Sequence, residues 1–248
     1  MAQETPLQSD DTQGDLELRR APDTRAHPTL TRTRYWRISG ALLISAIGLS
    51  VLLWTIGVFG GNVRTVVPGQ VYRSAQLTGH NYTALTAAWS GLDLDSVLRV
   101  DKIKTVLNLR GGSMANDYYR GEVLECNRLG IAHVDVPLSA IRLPPPARMV
   151  SLLYTLDHAR YPILIHCQGG SDRTGLVCAL YLNIYKQIPL DRALRDELTW
   201  RYGHFSFTRA RAMDRFFALY RDTGRGLTLR QWIVTVYPAV YSRQTAIR

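Results

Sequence analysis

The stretch His166-Cys167-Gln168-Gly169-Gly170-Ser171-Asp172-Arg173-Thr174-Gly175 places a cysteine and an arginine with five residues between them. Upstream, Tyr161-Pro162-Ile163-Leu164-Ile165-His166 reads as a buried strand; downstream, the apolar periodicity of 173 to 186 reads as a helix. The ten residues therefore form a loop at a helix N-terminus, where free backbone N–H groups and the positive end of the helix dipole favour an anion. The same field favours thiolate over thiol, which makes Cys167 a nucleophile near neutral pH. Gly169 and Gly170 let the backbone curl so that successive N–H groups point at one centre. Arg173 adds a planar fork able to clamp two phosphoryl oxygens. Thr174 can offer its hydroxyl to the sulfur and ease its departure.

These residues resemble the active-site loop of the cysteine-dependent protein tyrosine and dual-specificity phosphatases, in the pattern His166-Cys167-x5-Arg173-Thr174-Gly175. A chance match to five fixed identities in a chain this long is on the order of 1 in 10,000, and strand before with helix after is the context the motif requires. The resemblance implies a phosphomonoester hydrolase working through a cysteinyl-phosphate, with no metal or other cofactor. In it Cys167 attacks, Arg173 and the backbone of Gln168, Gly169, Gly170, Ser171 and Asp172 bind the phosphoryl oxygens, and His166 and Thr174 support the cysteine. Tyr72-Arg73-Ser74-Ala75-Gln76 also resembles the first strand of bacterial relatives. The resemblance spans roughly residues 64 to 240.

Outward from the loop, strands alternate with helices. Val66 to Thr78 reads as a strand with a turn at Pro68-Gly69, then a helix start near Thr78. Residues 104–110 and 131–136 read as strands, with a helix ending at Gly130 between them. Pro144-Pro145-Pro146 opens a helix whose Met149, Leu152, Leu153 and Leu156 share one apolar face. Helices are expected over 190–200 and 210–220, with Trp232, Tyr237 and Tyr241 packing the last helix onto the domain. This alternation predicts an α/β domain with a largely parallel sheet flanked by helices and the nucleophile loop at its carboxyl edge.

The N-terminal part has a different composition. Residues 38 to 63 carry no charged side chain, long enough for a helix to cross a hydrocarbon core of about 30 Å. Tyr35, Trp36, Trp54 and Phe59 flank the run as an interfacial belt would. A cleaved signal peptide would have a shorter apolar core and a small-residue cleavage site, and a buried core helix would show a polar face. The expectation is an uncleaved single-pass anchor over 38–61, a disordered tail over 1–37 and a phosphatase domain over 62–248. Arg25, Arg32, Arg34 and Arg37 outnumber Arg64 and Arg73 across the run, which puts the tail in the cytoplasm and the domain in the periplasm of a bacterial inner membrane.

Acids and arginines balance within the tail, so the net charge of +10 belongs to residues 38 to 248. A basic domain suits phosphorylated proteins or anionic lipid headgroups. The basic residues are scattered and no nucleic-acid motif is present, which argues against nucleic acid as partner. Three cysteines form no disulfide framework. Cys178 sits in an apolar pattern as a core residue, and Cys126 lies on the helix before Gly130; in an oxidising compartment either Cys167 is protected or a Cys126 bridge regulates it. His133 and His204 read as ordinary core or surface histidines, and no cluster has metal-ligand spacing.

The general acid is the one missing part. Many relatives of this family supply it as an aspartate from the loop corresponding to residues 137 to 146, which here holds no carboxylate. Two candidates remain: Asp172 inside the loop, the leading acid/base because a phosphate held by residues 168 to 173 must lie near it, with a loop-stabilising salt bridge as its bland role, and Asp135, whose bland role is a polar contact at a strand end. The leading expectation is a protein tyrosine or dual-specificity phosphatase. A lipid or phosphoinositide phosphatase at the membrane and a phosphate-binding pseudophosphatase are the alternatives.

Overall fold

A computed structural model of the chain describes residues 32–59, 61–78 and 94–246. The tail before Arg32 and the helix expected to start near Thr78 lie outside them. Helix α1, Arg32–Phe59, begins before the uncharged run, so the last residues of the expected tail are helical. Adding residues to an existing helix is far easier than nucleating one, and arginine is a good helix former. Leu43, Ile44, Leu49 and Leu53 of this helix are exposed. Among the described residues no helix is both long and apolar enough to cross a membrane.

The chain divides into two compact units within α1, Met1–Ala46 and Ile47–Arg248. The second contains a five-stranded sheet of β1 (Arg64–Val67), β2 (Val71–Ser74), β3 (Thr105–Asn108), β4 (Ala132–Asp135) and β5 (Ile163–His166), in the order β1-β2-β5-β3-β4. β1 and β2 form an antiparallel hairpin through the Pro68-Gly69 turn, and every other neighbouring pair is parallel. The sheet is thus mixed: a three-residue connection can only return a strand antiparallel, whereas the parallel strands need crossovers.

Register fixes where the site falls. Ser74 and Asn108 both pair with His166, and Asn108 pairs with Asp135, so the carboxyl ends of four strands finish level. Cys167 is the next residue along the central strand. Consecutive residues of β5 face opposite cores: Ile163 and Ile165 enter one and Leu164 the other, as do Leu107 and Val106 on β3. Both faces of the sheet are therefore covered, which is why the strands read as continuous apolar runs.

The smaller core lies under α2 (Leu94–Val100) and α3 (Asp117–Leu129). The larger one lies under α4 (Pro146–His158), α5 (Asp172–Lys186), α7 (Ala212–Thr223), α8 (Leu229–Thr235) and α9 (Tyr237–Ala246). α5 is buried continuously from Arg173 to Leu182, so the helix that begins at the loop is the central pillar of this layer. The apolar face expected on α4 is the one observed. Phe216, Trp232 and Tyr237 pack edge-on or tilted at 4.8–5.4 Å between centroids, and they seat the last helices as expected.

Two helix boundaries differ from the expectation. The helix expected over 190–200 ends earlier, as α6 (Leu190–Glu197), and a 3-10 turn, Trp200–Tyr202, follows. The carbonyl of Glu197 accepts a hydrogen bond from Arg73 Nη1 at 2.7 Å instead of continuing the helical ladder. The helix expected from residue 210 opens as a 3-10 turn, Arg209–Arg211, because the Thr208 hydroxyl caps Ala210 N.

Candidate active site

The loop after β5 is shaped by what holds its carbonyl groups. Gln76 N donates to Gln168 O at 3.1 Å, Asn62 Nδ2 to Gly169 O at 3.2 Å, and Arg73 Nη2 to Gly170 O at 2.6 Å. Three successive carbonyls are thus tied to the hairpin side of the sheet. Carbonyls held outward leave the alternating N–H groups to converge inward, the arrangement an anion needs. Gly170 makes this possible. It has φ +67°, and a Cβ there would lie 2.7 Å from Ser74 O, so no other residue fits without displacing β2. Gly175 allows the same closeness one turn into α5, where a Cβ would meet Glu197 O at 2.7 Å.

Arg73 is fully buried and ties the arrangement together. Besides Gly170 O it binds Glu197 through Oε2 at 2.6 Å and lies 4.0 Å over the Tyr202 ring. Ser171 is fixed from the same side: its Oγ donates to Tyr202 O at 2.5 Å. Its hydroxyl is therefore occupied, and Ser171 contributes to an anion through its backbone alone.

Cys167 is 3 % exposed. Burial opposes its ionisation, but the Arg173 charge, the Thr174 hydroxyl and the Thr174 and Gly170 amides outweigh it and bring the thiol below its ordinary value. Thr174 Oγ1 has no competing nitrogen or oxygen partner, so its hydroxyl serves the sulfur. Cys126 and Cys178 show the opposite effect. Burial drives Cys126 up to about 12 and Cys178 upward as well, so neither is a nucleophile at neutral pH. All three cysteines are free, and Cys126 lies in the other core layer from Cys167.

Arg173 is buried beneath the loop, with Nη1 directed at Leu109 O (3.4 Å) and Leu138 O (3.3 Å). These long contacts aim the guanidinium, while its buried Nε has no partner at all. A buried donor without an acceptor is costly unless a ligand completes it. Arg110, the residue after Leu109, stacks on Tyr118 at 3.4 Å. Burial lowers its pKa, and it feels the charges of both Arg173 and Cys167.

His166 lies behind the cysteine. Its Nε2 meets Glu122 Oε1 at 3.1 Å, and Glu122 also takes His133 Nε2 at 2.8 Å and Gln76 Nε2 at 2.5 Å. Burial would raise the Glu122 pKa, but the two imidazoles pull it down to about 2. Burial likewise works against charge on His166, and Glu122 reverses the balance, so its pKa is raised. The sequence marked His166 only as a support for the loop and did not single out Glu122. A glutamate on the α3 surface pattern carries no signal of burial until the strand order places α3 behind β5.

The two acid candidates are placed differently. Asp135 accepts from Asn108 Nδ2 at 2.8 Å and from Tyr119 OH at 2.5 Å, so both carboxylate oxygens serve the strand ends. Asp172 starts α5, and its Oδ1 lies 2.7 Å from His204 Nδ1, whose Nε2 lies 3.0 Å from Asp214 Oδ2. Ionised carboxylates only accept, so with one on each ring nitrogen both nitrogens must donate: His204 is an imidazolium. Burial opposes this, yet the bonds to Asp172 and Asp214 raise its pKa to about 9. His204, which nothing in its sequence neighbourhood separates from an ordinary core or surface histidine, is the link between the loop and α7. Among the described residues no group of three or more His, Cys, Asp and Glu is arranged to hold a metal ion.

The pKa of His204 rises on folding from 6.5 to about 9, so its contribution to stability is complete below pH 6.5 and is lost as pH climbs through about 9. Denaturant titrations between these limits should show stability falling with pH in the wild type. In His204→Gln the fall should be smaller, and an identical slope in the two proteins would show that His204 does not titrate there.

Residues 92–214, just under half of the chain, match the family described as "Swiss Army Knife protein, DSP-PTPase phosphatase domain". No curated protein matches the sequence. Among solved structures, TpbA from P. aeruginosa is 21% identical, with 66% of this chain and 91% of that one covered, at a TM-score of 0.46. The core catalytic domain of the PP-IP phosphatase SIW14 from S. cerevisiae, solved with citrate, is 19% identical, with 68% and 94% covered, at a TM-score of 0.46. The matched segment contains Cys167, Arg173 and His204, and it supports a cysteine-based phosphatase family for this domain.

Proposed function

We propose that the chain hydrolyses phosphate monoesters through a cysteinyl-phosphate, as a protein tyrosine or dual-specificity type of phosphatase. The observation that carries this is the buried Cys167, its pKa lowered, beneath a loop of which three successive carbonyls are tied outward and whose Arg173 Nε lacks a partner. The thiolate attacks phosphorus while the bond to the leaving oxygen breaks. Arg173 and the inward amides of 168 to 173 hold the equatorial oxygens as charge develops. Water then attacks the phosphocysteine, the S–P bond breaks, and the Thr174 hydroxyl receives the sulfur.

Asp172 is the proton carrier in this reading, and His204 supplies what Asp172 alone lacks. The imidazolium shares its Nδ1 proton with Asp172 Oδ1, so a proton stands next to the loop although residues 137 to 146 hold no carboxylate. It passes to the leaving oxygen in the first step and returns from water in the second. This favours an active enzyme over the pseudophosphatase. The uncharged run of 38 to 63 and the exposed apolar side chains of α1 support a membrane tether, with the domain in a bacterial periplasm.

Cys167→Ser should abolish turnover of an aryl phosphate while vanadate still binds; turnover within about tenfold of wild type would remove the covalent step. Asp172→Asn should lower kcat strongly for alkyl phosphates and far less for aryl phosphates, whose leaving oxygen needs little protonation. Equal losses on both would mean loop distortion instead. A periplasm-dependent reporter fused after Arg248 should be active; activity only from a cytoplasmic reporter at that position would reverse the orientation.

A further inference from the structure

A cavity of about 520 Å³ opens between the loop around Ile141–Leu143, the 3-10 turn Arg209–Arg211 with the start of α7, and the end of α9. Four arginines line it, Arg142, Arg209, Arg211 and Arg215, and no acidic side chain does. The remaining lining is apolar or neutral, including Tyr241, Gln244 and Thr245. None of the residues that form the Cys167 loop belongs to it.

Several arginines elsewhere in the domain are neutralised by acids. Arg73, Arg99, Arg120, Arg128, Arg221 and Arg230 each pair with a carboxylate. Among the described residues none of the four in the cavity forms an ion pair, and Arg215 finds only the neutral Gln244. Four like charges converging on a concavity repel one another, and an anion relieves that repulsion. Guanidinium forks match phosphoryl oxygens in geometry as well as charge.

Both walls of the cavity connect to the catalytic loop. Leu138, four residues before Arg142, accepts the hydrogen bond of Arg173. Asp214, between Arg211 and Arg215, holds His204 and through it Asp172. Its carboxylate is directed at His204 and Ser206, not into the cavity.

We infer that this cavity binds a phosphoryl group carrying two or more negative charges, separate from the one hydrolysed at Cys167. That group comes from a soluble polyphosphorylated compound or from an anionic lipid headgroup. The inference rests on the phosphatase reading for its biological sense but not for its chemistry. Calorimetry on the full-length protein in detergent tests it, with vanadate filling the Cys167 loop and two probes, tripolyphosphate and a short-chain phosphatidic acid. At least one probe should bind the vanadate-filled protein, and Arg142→Gln with Arg211→Gln should weaken it by about tenfold or more. Binding of tripolyphosphate alone assigns the soluble source, and of phosphatidic acid alone the lipid. Thermal unfolding checks the fold of the double variant. Arg209→Gln, exposed and outside any ion pair, provides a second variant that should shift binding in the same direction. No binding by either probe, or binding indifferent to all these arginines, would overturn the proposal. Vanadate that fails to bind would count against the phosphatase reading alone, and the arginine comparison would then be made without it.

Discussion

The contact between Arg73 and the carbonyl of Gly170 is the constraint on which the site depends. One guanidinium, without exposure to water, joins three pieces of chain: β2, on which it stands, the phosphate loop, and the end of α6 at Glu197. An arginine can do this because its planar fork offers several donors in fixed directions. The charge is matched by Glu197, itself buried, so the pair satisfies each other away from water. Removing one partner of such a pair leaves an uncompensated charge, at a cost of about 3–5 kcal/mol. The loop geometry and the early end of α6 are two results of the same contact.

Two histidines repeat this logic on either side of the cysteine. His166 is held by Glu122 behind the strand, and His204 stands between Asp172 and Asp214. In each case carboxylate contact raises the pKa of a buried imidazole against the pull of burial, through Glu122 at His166 and to about 9 at His204. Arg173 below Cys167 is a fixed positive charge, and the carboxylates bias His166 behind it and His204 at the helix start toward the imidazolium. A low-dielectric surrounding makes each worth more to a thiolate or a phosphoryl anion than it would be in water. The same logic explains why Cys178, further along α5, stays a neutral core residue: burial outweighs the pull of Arg73 on it.

The loop and most of the elements were legible in the sequence because local chemistry writes them. Glycines at 169 and 170, a cysteine and an arginine at fixed spacing, and period changes from strand to helix depend on near neighbours only. The apolar face of α4 and the aromatic packing of Trp232 and Tyr237 follow from the same periodicity. Boundaries were less legible where a distant group intervened. Arg73 lies 124 positions from Glu197, and no pattern around Glu197 announces that its carbonyl will leave the helical ladder.

The sequence by itself determined that Cys167 and Arg173 share one loop, the α/β class and the place of that loop at a strand's carboxyl end. Each of these follows from residues within one strand-loop-helix unit. Only the tertiary structure decided which groups tune them. Glu122, His204, Asp214 and the four arginines of the second cavity come from separate elements, and their burial and pairing exist only once the sheet order brings those elements together. Charge state inside a protein depends on surroundings rather than on residue type. His204 therefore became an imidazolium, and Asp135 a strand-end contact, through neighbours that lie far away along the chain.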